Sequence, residues 1–180
     1  REDYRIRRAI PTIDYLLDCG AKVILGSHLG RPDGNIVKKL SLEIVAKRLS
    51  DLLNKEVIFC KDFIKEDLAN KMDNFPESSV IMLENLRFHK EETSNNDEFS
   101  NYLSSLADVY VNEAFGTSHR AHASTYGMAK GFDTKLAGFL VDKELNYIAK
   151  MMEEPVHPFL VIIGGAKIND KMIAMGNLLE

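Results

Sequence analysis

The chain has 180 residues, a net charge of −4 and 45% hydrophobic residues. That balance excludes global disorder and argues against a general nucleic-acid binder, and no apolar run approaches the ~18 residues a membrane span needs. Cys19 and Cys60 carry no CxxC or Cys/His spacing, so a disulfide scaffold or structural zinc site is not indicated; two buried free thiols in a cytoplasmic protein are expected. The charged start Arg1-Glu2-Asp3-Tyr4 resembles neither a signal nor a transit peptide.

Helical and strand patterns alternate along the chain. Ile6, Ile10, Ile13, Leu16 and Leu17 step by threes and fours over Tyr4–Cys19 and define one helix face, with Gly20 as its C-terminal cap. A strand follows at Lys22–Leu25. A helix is expected near Leu42–Leu53 with Ser41 as N-cap, then a strand at Val57–Phe59. A helix near Ile64–Met72 leads to a strand at Val80–Leu83. Glu91–Asp97 reads as a loop and helix N-terminus, and a helix near Asp97–Ala107 leads to a strand at Val109–Val111. A long helix near Val141–Met152 precedes a strand at Phe159–Ile163, with helix again from about Asp170. The Glu153-Glu154-Pro155 stretch, with Pro158 after it, is the linker candidate.

These strands are short and continuously apolar, as expected when both faces of a sheet are covered. Strands separated by helices imply right-handed crossovers. The expected fold is therefore α/β: three layers, doubly wound, around a mainly parallel sheet.

In such a sheet every loop leaving a strand's carboxyl end lies on one edge. Val23–Leu25 runs into Gly26-Ser27-His28-Leu29-Gly30-Arg31, Val80–Leu83 into Glu84-Asn85-Leu86-Arg87, and Val109–Val111 into a loop holding His119, Arg120 and His122. Connectivity alone thus gathers Arg31, Arg87 and Arg120. Guanidinium forks beside glycine-rich loops suit an oxyanion such as phosphate. A single arginine at a strand end is ordinarily a solvated charge; three on successive loops of one edge are not readily accidental. His28 could be a base, a donor to the anion or a plain loop residue, and the donor role is favoured. His119 and His122 could in principle ligate a metal, but no carboxylate pattern accompanies them and no metal ligand is assigned. Gly164-Gly165-Ala166-Lys167 lacks the Walker spacing, and no GxGxxG is present. Lys167 and Lys171 share one face of a starting helix or are simply solvated.

Four segments, in order, resemble signature segments of the phosphoglycerate kinase family: Ser27–Pro32, Glu84–Phe88, Ala114–Ser124 and Gly164–Lys167. The resemblance spans essentially the whole chain. It implies two Rossmann-like domains joined by a hinge and reversible phosphoryl transfer between 1,3-bisphosphoglycerate and ADP, giving 3-phosphoglycerate and ATP. Residues 1–140 would be the 3-phosphoglycerate-binding domain, 141–158 the interdomain helix and linker, and 159–180 the start of the nucleotide domain. By resemblance, His28, Leu29, Gly30, Arg31, Arg87 and Arg120 bind the triose phosphate. Arg5 faces the reacting carboxyl group and is catalytic. Lys167 meets the transferring phosphoryl group, and Lys171 binds nucleotide phosphate. The cofactor implied is Mg2+, as MgATP or MgADP, liganded mainly beyond this stretch. No nucleic-acid or membrane partner is expected, and the family is usually monomeric and cytoplasmic.

The family's sheet also has a central strand, ending in Asp-Phe-Asn, upstream of the position of Arg1, so the chain resembles an N-terminal domain cut at both ends. Such a piece is expected to lack kinase turnover by itself. The alternative reading is a non-catalytic module that binds a phosphate ligand, and a weaker one is a metal-dependent hydrolase using His119 and His122.

Overall fold

The structure is a computed structural model and describes residues 3–153, 155–158, 160 and 162. The chain divides into two compact units, Arg1–Val141 and Asp142–Glu180. In the first, α1 spans Tyr4–Asp18, β1 Val23–Leu25, α2 Glu43–Leu53 and β2 Val57–Cys60. There follow α3 at Leu68–Lys71, β3 at Val80–Leu83, α4 at Lys90–Ser94, α5 at Asp97–Ser104, β4 at Val109–Asn112 and β5 at Thr134–Ala137. Helix α6, Phe139–Glu153, begins in the first unit and makes up most of what is described of the second. None of the described helices is long and apolar enough to cross a membrane.

The α/β architecture is present. Three parallel strands lie in the order β1-β3-β2, with Val23 and Val57 both in register with Val80. A second parallel pair joins β4 to β5. Strand β3 shows why its sequence is apolar throughout, because successive side chains point to opposite faces. Val80 and Met82 pack with Ile13 of α1 and Leu42, Ala46 and Leu49 at α2. Ile81 and Leu83 pack on the other side with Phe63, Leu68, Phe99, Leu103 and Leu106. Helices therefore cover both faces, giving three layers around this sheet. Alpha1 is tied to α2 by Asp3, whose carboxylate accepts from Arg7 Nε at 2.8 Å and Arg48 Nη2 at 2.6 Å. Those two guanidinium groups hold the Asp3 carboxyl down at about 2. Past α1, Gly20 (φ +80°) turns the chain with its N–H on the Leu17 carbonyl at 2.9 Å.

Several expectations need correction. The helix expected over Ile64–Met72 is reduced to α3. Upstream, Asp62 accepts from the Lys65 N–H, Glu66 accepts from the Asp62 N–H, and Asp67 takes a positive φ of 50°, so local side-chain bonds compete with a helical ladder. The stretch read as a loop after His89 instead forms α4. Asn95 (φ 55°) ends it, and Asn96 caps α5 by accepting from the Phe99 N–H at 2.9 Å. Alpha5 stops at Ser104, where the Ser104 and Ser105 hydroxyls bond back to the carbonyls of Asn101 and Tyr102. Ser41 is not the N-cap of α2, which begins one residue later than expected. Beta4 is not buried on both faces, since Val109 is exposed. Its partner β5 has one large apolar residue, Leu136, and is exposed throughout, so no continuous apolar run marks it. Cys60 is buried, but Cys19, just past α1, is exposed. The strand expected at Phe159–Ile163 lies largely, and the helix from Asp170 wholly, outside the described residues.

The root of α6 is fixed to the end of β4. Glu113 Oε1 accepts from Thr12 Oγ1 at 2.7 Å and from the Leu140 N–H at 3.1 Å, and Thr12 Oγ1 accepts from the Phe139 N–H at 3.0 Å. These acceptors satisfy donors that a helix start leaves open. Within the second unit, Asn146 donates to Asp142 across one turn of α6, and Leu145, Tyr147 and Met152 are exposed.

Candidate functional site

Three loops leave the carboxyl ends of β1, β3 and β4. The first two are stitched together by a side chain with no exposure. Asn85 Nδ2 donates to the carbonyls of Leu29 (2.9 Å) and Leu40 (2.8 Å), and Asn85 Oδ1 accepts from the Arg87 N–H (3.1 Å). Backbone bonds from Leu86 N to the Ser27 carbonyl and from Gly34 N to the Arg87 carbonyl close the seam. Next to it, buried Glu84 accepts from the Leu42 N–H and its own neighbour's N–H at Asn85, both at 2.8 Å, and from Ser41 Oγ. A carboxylate thus sits at the start of α2, where the helix dipole favours it. Gly30 takes φ +69°, so the bend that carries Arg31 favours glycine, while a Cβ there would need only the end of the Leu40 side chain, 2.9 Å away, to shift.

Arg87 is the centre of the arrangement. It sits in a short 3-10 turn, Leu86–Phe88, directly after β3, and is 7% exposed. One nitrogen, Nη1, reaches the Gly30 carbonyl at 3.3 Å. Nε and Nη2 are buried and have no partner among the described residues. Burial, then the positive charges of Arg120 and Arg31, press the guanidinium down from its ordinary range. His28 is pushed down to about 4, first by burial and then by the charges of Arg87, Arg120, His122 and Arg5. The charges of Arg120, His122 and Arg5 thus reach His28, and those of Arg120 and Arg31 reach Arg87.

Arg31 is exposed, Arg120 half-buried and Leu29 largely exposed, while Leu29 and Gly30 contribute the carbonyls held by Asn85 and Arg87. Lys167 and Lys171 lie outside the described residues. His119 is exposed and its Nε2 accepts from Arg120 Nε at 3.4 Å. Among the described residues no group of three His, Cys, Asp or Glu could hold a metal.

Sequence reasoning did not single out Asn85 or Glu92, and it weighed His122 only as a metal ligand. Glu92 lies on α4, and its carboxylate accepts from the backbone N–H of Ser124 at 3.0 Å and from Ser124 Oγ at 2.6 Å. The available signal was the buried-polar character of Glu84-Asn85 after a wholly apolar strand. For Glu92 there was none, because α4 itself was not expected.

At neutral pH His28 carries a single ring N–H, which suits it to donate to an anion and not to add a further charge. A pH dependence follows. Below about pH 6.5 the unfolded chain takes up a proton that folded His28 declines until about pH 4, so stability should fall as pH drops through that window. Burial also lowers His89 and His122, which act with the same sign. Melting curves at pH 7 and pH 5 should show this loss, and His28→Gln should reduce it in part. Identical losses in variant and parent would rule His28 out as a contributor.

A layer of parallel strands whose end loops converge a half-buried histidine and a buried, under-bonded arginine defines a cation-lined α/β domain. Comparison with known proteins gives the family. The family model described as phosphoglycerate kinase matches residues 1–180. The chain is 48% identical over 181 residues to the phosphoglycerate kinase of Clostridium tetani and 53% identical over 179 residues to that of Dictyoglomus turgidum. Each match covers 99% of this chain and 45% of the relative. The solved phosphoglycerate kinase of Coxiella burnetii superposes with a TM-score of 0.84 at 37% identity, covering 99% of this chain and 44% of that one. The enzyme of Pyrococcus horikoshii gives 0.85 at 33%, covering 98% and 45%. The chain belongs to the phosphoglycerate kinase family, and it spans less than half the length of the relatives it matches.

Proposed function

We propose that this chain supplies the 3-phosphoglycerate-binding half of a phosphoglycerate kinase. The observation that carries the reading is Arg87, a buried guanidinium with two unpartnered nitrogens, reached by the charges of Arg31 and Arg120 from the loops after β1 and β4 and itself acting on His28. Buried charge is costly unless it is paired, and an incoming phosphate would supply the pair. Arg31, Arg87 and Arg120 would hold the triose 3-phosphate with His28 as a neutral donor, and the Leu29–Gly30 bend would shape the loop. Arg5 would face the reacting carboxyl end.

The chemistry needs no general base in the ATP-consuming direction. The attacking group is a carboxylate with an ordinary pKa near 4, already ionised at pH 7. What remains for the protein is in-line positioning and neutralisation of charge on the transferred group. Lys167 and Lys171 are assigned to the phosphoryl group and the nucleotide. Magnesium would arrive with ATP or ADP and spread the phosphate charge. By resemblance to the family it is assigned to the nucleotide side. A soluble, cytoplasmic, monomeric enzyme without a nucleic-acid or membrane partner is the reading that accompanies this assignment. Family membership favours it over a module that only binds.

Two measurements test the site. At about 100 times its dissociation constant, 3-phosphoglycerate should add about 2.7 kcal/mol and raise the melting temperature by about 5–10 °C. Arg31→Ala and Arg120→Ala should each weaken that binding about tenfold or more in isothermal titration, since each removes charge-assisted bonds. Parent-like affinity in both variants would sink the assignment.

A further inference from the structure

Glu92 is a buried anion among these cations, 4% exposed, on a helix of only five residues. Both of its oxygens are taken by the same residue, Ser124, through hydroxyl and backbone N–H. Ser124 lies four residues after Arg120 and two after His122. It is the second residue of a π-helical turn, Ala123–Gly127, in which the N–H groups of Thr125, Tyr126 and Gly127 all point to the His122 carbonyl. Thr125 Oγ1 donates to the Arg120 carbonyl at 2.8 Å. The backbone from Arg120 to Gly127 is thus folded on itself and attached to α4 through the Glu92–Ser124 pair. Glu92 Oε1 also lies 3.9 Å from His122 Nδ1, too far for a hydrogen bond but close enough for its charge to act on the ring.

We infer that Glu92 is a positioning residue of the anion site: through Ser124 it fixes the loop that presents Arg120 and His122, and it is the carboxylate that backs the His122 ring. The inference rests on the proposed 3-phosphoglycerate site and adds to it a residue that does not touch the substrate. The charged groups facing His122 are Glu92 from α4, Arg87 from the loop after β3, Arg120 and His119 from its own loop, and His28 from the loop after β1. Glu92 is the one acidic group in this set, so its removal should make His122 harder to protonate.

The test uses isothermal titration of 3-phosphoglycerate and NMR titration of the histidine rings in the ligand-free protein. Glu92→Gln keeps the side chain's size but loses one acceptor and the charge. It should weaken 3-phosphoglycerate about tenfold and lower the His122 titration midpoint. Ser124→Ala, which leaves the carboxylate in place, should weaken binding to a similar degree, and the double variant should lose no more than the weaker-binding single variant. Should Glu92→Gln fail to fold, Ser124→Ala alone decides: affinity within twofold of the parent overturns the inference. A folded Glu92→Gln protein that binds normally, or that binds weakly with His122 unmoved, also overturns it. Arg87→Ala serves as the reference. If it too binds normally, the anion site itself is misassigned and the inference falls with it; if only Arg87→Ala loses binding, the site stands and Glu92 has no part in it.

Discussion

Replacing Arg87 by methionine should raise the melting temperature of the ligand-free protein while removing most of its affinity for 3-phosphoglycerate. The substitution keeps a long flexible side chain in the same cavity and deletes a charge. In the free protein that charge has one bond, to the Gly30 carbonyl at 3.3 Å, and two buried nitrogens with none. Losing the bond costs about 1 kcal/mol. Removing an under-paired buried ion recovers desolvation, its relief of repulsion from Arg120 and Arg31 is partly offset by lost attraction to Glu92 and Asp33, and exchanges of buried ionic for apolar groups are neutral or stabilising by about 1–4 kcal/mol. The second effect wins, and a net gain of about 1–2 kcal/mol corresponds to about 2–8 °C for a chain of this size. Binding should move the opposite way. Two charge-assisted bonds at about 1.5–3 kcal/mol each imply a loss of about 100-fold or more. Differential scanning calorimetry and isothermal titration read the two effects separately. A variant less stable than its parent, still binding at parental strength, would show that Arg87 is a structural residue and not an anion receptor.

Asn85→Ala should be the most damaging single change in this region for stability. Asn85 has no exposed surface and makes three bonds to backbone: to the carbonyls of Leu29 and Leu40 and from the N–H of Arg87. Alanine leaves all three backbone groups without their partner, at about 1–3 kcal/mol for each that water cannot reach. With partial relaxation the loss should be about 3–5 kcal/mol, or about 6–20 °C. Because two of the bonds hold the loop that carries His28 to Arg31, the ligand-induced rise in melting temperature should shrink as well. Chemical denaturation giving a loss below about 0.5 kcal/mol would mean that the seam between the β1 and β3 loops is held by backbone bonds alone.

Both predictions concern residues of very different visibility in the sequence. Arg87 could be found by counting forward from an apolar strand, because parallel topology sends every such loop to one edge. The same reasoning reaches Arg31, whereas Arg120 follows β4, which pairs with β5 in a separate sheet and not with β1 or β3. Asn85 lay in the quoted segment but gave no sign of its task, since its partners Leu29 and Leu40 are distant in sequence and backbone carbonyls have no sequence signature. The wholly apolar β3 was readable because both its faces are covered. Beta5 was not, since Thr134-Lys135-Leu136-Ala137 lies at an exposed edge and carries no apolar run. The loss of the helix expected at Ile64–Met72 to turns reflects bonds among Asp62, Lys65 and Glu66 that overrode helical periodicity. Alpha4 was missed for the complementary reason: its acidic, polar sequence looks solvated, yet Glu92 turns inward to Ser124.

The strand order β1-β3-β2 also constrains how the chain is made. Among the described strands β1 pairs only with β3, because Val23 is in register with Val80 and β2 does not touch β1. As the nascent chain emerges from the ribosome α1 can form early, but the pairing of β1 with β3 must wait until Leu83 has left the exit tunnel. Only then can one docking event close the sheet on both sides of β3 and bring the Arg31 and Arg87 loops together. Translation pauses before that point would delay the pairing of β1 with β3, and pauses after it would not.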